Sequence, residues 1–453
     1  MYLILAIANA VLVAYAIREG LRDRPFALLF WAASAFFTGY PLLVDSFFCA
    51  TGNVDIILWL YKDSADGIAP LLDSVILNRA CSFVLAFNCL FYLTLQLIGG
   101  RQPGWRTTTL SLQDQDTGLF VAIVLAIGGN LALLYIVGYE FGGLTESLQQ
   151  RASYFGFGSD GYEAKSRYLR SFANSFVYAS PFATYFGIRR RIPLLTLAGV
   201  IPALALAYIT SQRPWLFCVA GVLALNTLGP GYADAKQRLT GVRNYLATPA
   251  RLLGIALLAI TTLFTSYFVR YERSDTYSGR TAEAAGESVG SVVLMRDVSI
   301  FVFYWTIDAV PERLPAIGGF STLQIPATLL HLPINFAPTE QVGYYLALNR
   351  NHLTDSTLHP TVYGYAYCDL AWAGLVWALI MALIIGSAER YIAGREQRLF
   401  ALAPMMSMLI AVVVRGSPHY GITRAWYSAI AIGAIFFVAT LARRGDHSSV
   451  VYE

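Results

Sequence analysis

Apolar runs of about 18 residues or more recur along this chain, separated by short polar loops. Such runs leave few folds open. In lipid, every backbone N–H and C=O must be paired within the protein, so a spanning chain is either helical or a closed β-barrel. A barrel would show short alternating strands. Long continuous runs point to helices instead. The residue balance agrees: 56% hydrophobic and 13% charged, against roughly a quarter charged in soluble domains. The expected fold class is all-α, a polytopic integral membrane protein.

The hydropathy pattern predicts about eleven transmembrane helices. They fall near 2–17, 26–48, 71–98, 119–137, 171–186, 193–209, 215–228, 252–269, 366–388, 399–414 and 425–441. The loops after alternate helices are basic: Arg18, Arg22 and Arg24; Arg101 and Arg106; Arg189, Arg190 and Arg191; Lys236, Arg238, Arg243 and Arg251; Arg390, Arg395 and Arg398; Arg443 and Arg444. Positive charge marks the cytoplasmic side. The N-terminus is therefore expected outside and the C-terminus inside. The first run lacks a basic leader and a cleavage site, so it reads as a retained helix. The net charge of +4 reports orientation and gives no reason to expect nucleic acid as a partner. The five cysteines show no paired spacing and read as packing residues.

Three segments follow: helices 1–8 over 1–269, a large external loop over 270–365, and helices 9–11 with the tail over 366–453. The loop concentrates ionisable chemistry, holding Arg296, Asp297, Asp308, Glu312, Arg313, Arg350, Asp355, His331, His352 and His359. Residues 290–301 are apolar around the Arg296–Asp297 pair and read as a membrane-skimming helix. Arg213 sits in a tight break between two apolar helices. Arg415 and Arg424 flank the last external turn. An arginine beside a span is costly and marks a functional position. Its planar fork suits phosphate oxygens. Each of these arginines could equally anchor the protein at the lipid headgroups. Histidine can accept or donate a proton near neutral pH, and a carboxylate close by can orient it. The spacing of His352 and His359 is not a zinc motif, and no metal is inferred. The Asp114-Gln115-Asp116 triplet mimics the D-x-D that holds a metal-bound nucleotide sugar, but it lies on the expected cytoplasmic side in a linker with no α/β pattern around it. No phosphate-binding G-x-x-x-x-G-K-[ST] loop and no G-x-S-x-G elbow is present.

Taken together, four features resemble the Wzy family of oligosaccharide repeat-unit polymerases, including the enterobacterial common antigen branch. They are the Thr210-Ser211-Gln212-Arg213 break; the external loop opening near Arg296-Asp297; its exit through Asn351-His352 and His359-Pro360-Thr361-Val362-Tyr363-Gly364; and Arg415-Gly416 with Arg424 beyond. They cover roughly residues 205–430. Gln212 and Pro214 depart from the small residues usual around that arginine.

The resemblance implies a GT-C-like membrane glycosyltransferase. It would move a growing glycan from undecaprenyl diphosphate to the terminal sugar of an incoming undecaprenyl-diphosphate-linked unit. Arg213 and Arg296, with Arg415 or Arg424, would neutralise the diphosphate leaving group. His352 would serve as base, with Asp297 and His359 in reserve. Loop aromatics such as Phe301, Tyr304, Trp305 and Tyr363 could stack on sugars, though most read as packing. No cofactor is expected. The expected partners are the two lipid-linked glycans, membrane lipids and, through the resemblance, a chain-length regulator. The expected location is a bacterial inner membrane, with the active face periplasmic. Three alternatives stand beside this: an O-antigen ligase, another polyprenyl-phosphate-sugar glycosyltransferase, and a transporter or flippase. The last would show broken helices around a site within the membrane.

Overall fold

The computed structural model describes residues 1–60, 65–99, 112–145, 167–210, 299–318, 361–392 and 418–449, with a few positions at 219–222 and 402–414. Every regular element among the described residues is helical. Among the described residues, five helical segments are by length and composition apolar enough to cross a membrane: Tyr2–Gly20, Pro25–Ala50, Ser74–Ile98, Asp116–Glu140 and Thr361–Ile392. The chain is thus a multi-pass helical membrane protein. The GT-C-like label came with the polymerase resemblance and has no support of its own.

The chain divides into two compact units. The first comprises Met1–Gln102, Tyr267–Arg390 and Ile410–Thr423. Its helices are α1 (Tyr2–Asp23), α2 (Pro25–Ser34), α3 (Tyr40–Ala50), α4 (Val54–Leu60), α5 (Ala65–Ile68) and α6 (Ser74–Gly99). A π-helical turn, Ala35–Gly39, joins α2 to α3 within one apolar span. Such turns are rare and tend to occur at functional sites. α1 packs against α2, α3 and α6.

Three elements follow from the later part of the chain: α11 (Ser299–Ala309), α12 (Thr361–Leu370) and α13 (Val376–Ile392). α12 and α13 are not one straight rod. A 3₁₀ turn, Ala371–Leu375, separates them, and Ala371 takes φ 50°. The rings of Tyr365 and Trp377 lie 5.8 Å apart, whereas twelve residues of straight helix would separate their backbones by about 18 Å. Trp377 Nε1 donates to Asp369 Oδ2 at 3.0 Å. The chain therefore doubles back. Gly374 makes this possible, because a Cβ there would run into the Ala366 carbonyl.

The direction of α12 follows from its neighbours on α6. Tyr363 lies against Phe87 and Tyr367 against Phe83, with centroids 5.0 and 5.1 Å apart. α12 thus starts beside the middle of α6 and climbs toward the Ser74 end. α13 returns the other way, bringing Gly386 against Leu95 and Ile98. α11 runs alongside α12. Phe303 faces Tyr363 at 6.3 Å, and Glu312, just past its end, pairs with Arg79 at 2.8 Å. The amides of Ile317 and Gly318 donate to the last carbonyls of α12, those of Cys368 and Asp369, at 3.1 and 2.7 Å. Over the described residues, α11 and α12 thus run from beside the middle of α6 to its Ser74 edge, and Thr361, with φ 59°, marks the start of α12.

The second unit comprises Pro103–Ser266, Tyr391–Leu409 and Arg424–Glu453. It contains α7 (Leu112–Leu134), a π-turn (Tyr135–Glu140), α8 (Arg167–Ala179), α9 (Pro181–Arg190), α10 (Pro193–Thr210) and most of α14 (Pro418–Ser449). The single helix expected over 171–186 is two. Pro181 opens α9, where its missing N–H costs nothing. Ser180 closes the joint by donating to Val177 O and Gly199 O at 2.9 and 3.0 Å. Asn130 on α7 donates to Ala198 O of α10 at 2.9 Å.

Candidate functional site

Three of the long apolar segments of the first unit carry a buried amide or hydroxyl toward mid-length: Asn9 on α1, Ser34 at the end of α2, and Asn88 on α6. Asn88 lies about 21 Å along α6 from Ser74 and about 15 Å from Ile98, at 1.5 Å per residue. Polar groups within spans are costly and occur where they serve a site. Here they meet. Asn88 Nδ2 donates to Asn9 Oδ1 at 2.8 Å. Tyr363, in the first turn of α12, donates its hydroxyl to Asn88 Oδ1 at 2.9 Å. The Tyr363 oxygen also contacts Ser34 Oγ. Four elements are thereby tied at one level by side chains that are all fully buried.

The start of α12 belongs to this cluster. An α-helix leaves its first four N–H groups without intrahelical acceptors and carries about half a positive charge at that end. Helix N-termini inside a membrane suit anionic groups. α11 packs on the Ala35–Gly39 turn and on α12.

Two further polar contacts flank the cluster. Toward the Ser74 end, Tyr304 of α11 donates to the buried Asp45 Oδ2 at 2.8 Å. Toward the other end, Glu389 of α13 accepts the backbone N–H groups of Phe26 and Ala27 at 2.7 and 3.0 Å. Beside it Arg24 donates to Leu95 O at 2.9 Å and to Gln96 Oε1 at 3.3 Å. Gln96 and Tyr92 in turn donate to Glu19.

Arg213, Arg296, Asp297, His352, His359 and Arg415 lie outside the described residues. Arg424 belongs to α14, with its side chain outside them. Phe301, Tyr304, Trp305 and Tyr363 are buried in helix packing. Asn9, Ser34, Thr38 and Asn88 were passed over, although an isolated amide in an apolar run is a readable signal.

The chain is 26% identical over 288 residues to the "Probable nitrate/nitrite transporter NarK2" of Mycobacterium tuberculosis, in strains CDC 1551 / Oshkosh and ATCC 25618 / H37Rv. The match covers 60% of this chain and 69% of the relative. No family model matches, and no solved structure does. The relative is a transporter. This similarity overturns the expectation of a Wzy-type polymerase, and with it the assignment of the chain as a glycosyltransferase transferring undecaprenyl-diphosphate-linked glycan. The physical reason lies in where the polar groups sit. The expectation weighted a charged external loop, whereas the described half-helices carry their buried polar contacts into the span region.

Proposed function

We propose that the chain carries a small solute across the membrane, and that the solute is an inorganic anion of the nitrate or nitrite kind. The observation that carries the reading is the buried relay Asn9–Asn88–Tyr363–Ser34, met at mid-length by the start of a half-helix. Discontinuous helices with their N-terminal ends inside the membrane are a recurring way to hold an anion at a transport site. The printed name of the Mycobacterium tuberculosis relative supports the same class of solute.

The proposal keeps the topology drawn from alternating basic loops: about eleven spans, N-terminus outside and C-terminus inside, in a bacterial cytoplasmic membrane. In that orientation α11 and α12 run from the middle of the membrane outward. The test is flux. Purified full-length protein in liposomes should accumulate nitrate or nitrite faster than empty liposomes do. Rates equal to the empty control for both ions would refute the reading.

A further inference from the structure

We propose that the Asn9 carboxamide, with the Thr38 hydroxyl of the adjoining π-turn, is the hydrogen-bonding end of the solute site and takes a small oxyanion. The proposal rests on the transport reading and names the atoms that would recognise the solute.

Tyr363 spends its one hydroxyl hydrogen on Asn88 Oδ1, so the contact with Ser34 is made by the serine hydrogen. Asn88 Nδ2 then donates to Asn9 Oδ1. Every link points the same way, from Ser34 through Tyr363 and Asn88 to Asn9. Neither amide can flip alone without setting like groups against each other; flipping both together would reverse the relay and end it on an acceptor, the arrangement that the Asn9→Asp variant tests. Aligned bonds of this kind strengthen one another. The chain ends on Asn9 Nδ2, which is buried and has no acceptor. An amide nitrogen can only donate.

A buried donor without an acceptor is costly, and each such group calls for an explanation. This one has company. Asn9 Nδ2 faces the π-turn, and a Cβ on Gly39 would lie 3.8 Å from it. Thr38, the residue before, is fully buried with its hydroxyl unpartnered. Thr361, the first residue of α12, is also buried with an unpartnered hydroxyl. It marks the positive end of the half-helix whose third residue, Tyr363, drives the relay. Donors with no acceptor and a helix N-terminus repel cations and favour an acceptor carrying negative charge.

The test uses full-length protein in liposomes, with nitrate as probe and Asn9→Asp and Thr38→Val as variants. Both keep the shape of the residue they replace and remove donors. In detergent, nitrate should raise the melting temperature of the wild type and leave Asn9→Asp unmoved. In liposomes, either variant should raise the nitrate KM about tenfold or more, a loss of about 1.4 kcal/mol, while folded protein is still recovered. Nitrate flux in wild type with KM unchanged in both variants would overturn the site and leave the transport reading standing. Absent flux would refute the transport reading, and the melting shift would then decide the site alone. A wild type indifferent to nitrate in that measurement would mean that the amide holds water only, and the proposal would fall.

Discussion

Removing the Glu389 carboxylate should unpin α2. The first turn of that helix can be accounted for donor by donor. Pro25 has no N–H. The Leu28 amide donates to Arg24 O at 2.9 Å. The two remaining donors, Phe26 and Ala27, both go to Glu389 Oε1, at 2.7 and 3.0 Å in a buried setting. In Glu389→Ala both lose their acceptor. Each buried orphan costs about 1–3 kcal/mol, so the pair costs about 2–6 kcal/mol. Glu389→Gln keeps an oxygen where it is needed. It gives up charge assistance but also the cost of burying a charged group, so its net change stays within about 1 kcal/mol. At about 2–4 °C per kcal/mol for a unit of this size, the alanine variant should melt at least about 4 °C below wild type in detergent, and glutamine close to it. The reasoning fails if alanine melts with wild type. It also fails if glutamine falls as far as alanine, since charge and not acceptance would then hold the helix.

Tyr363→Phe removes the donor that serves Asn88 Oδ1 and should lower stability by about 1–3 kcal/mol, read as a drop in melting temperature. Gly374→Ala puts a methyl into the Ala366 carbonyl. It should cost about 1–3 kcal/mol and reduce the yield of monodisperse protein. Glu312→Gln breaks the Arg79 pair, but those side chains are 60% and 39% exposed. The change should stay below about 1 kcal/mol, with the melting temperature within error of wild type.

The membrane class was legible because long apolar runs admit almost no other fold. Boundaries set by proline were legible too: the start expected at 193 is the start of α10 at Pro193. The breaks were not. The Ala35–Gly39 turn contains neither proline nor charge, and α12 and α13 are both apolar, so hydropathy cannot register the reversal at 370–375. Of the helix foreseen over 290–301, residues 290–298 lie outside the described residues, and 299–301 fall in α11. The site was obscured for a related reason. Charge on loops is easy to see in a sequence, whereas Ser34, Thr38 and Asn88 are single neutral residues in apolar helices. Their meaning depends on which helices touch. Even Tyr363, picked out as a ring for stacking on sugar, proves to matter here through its hydroxyl.

Glu389 also sets a clock. The amide groups it receives lie 362 and 363 residues earlier in the chain. At roughly 5–20 residues per second, a nascent α2 waits about 20–70 s before its acceptor is even synthesised. During that time the membrane holds a helix with an open first turn, and all the residues from Pro103 to Ser266, assigned to the other unit, are made in between. The first unit can close only late in translation, and a ribosome that stalls before residue 389 leaves an assembly intermediate that quality-control proteases could recognise by its loose amino-terminal helices.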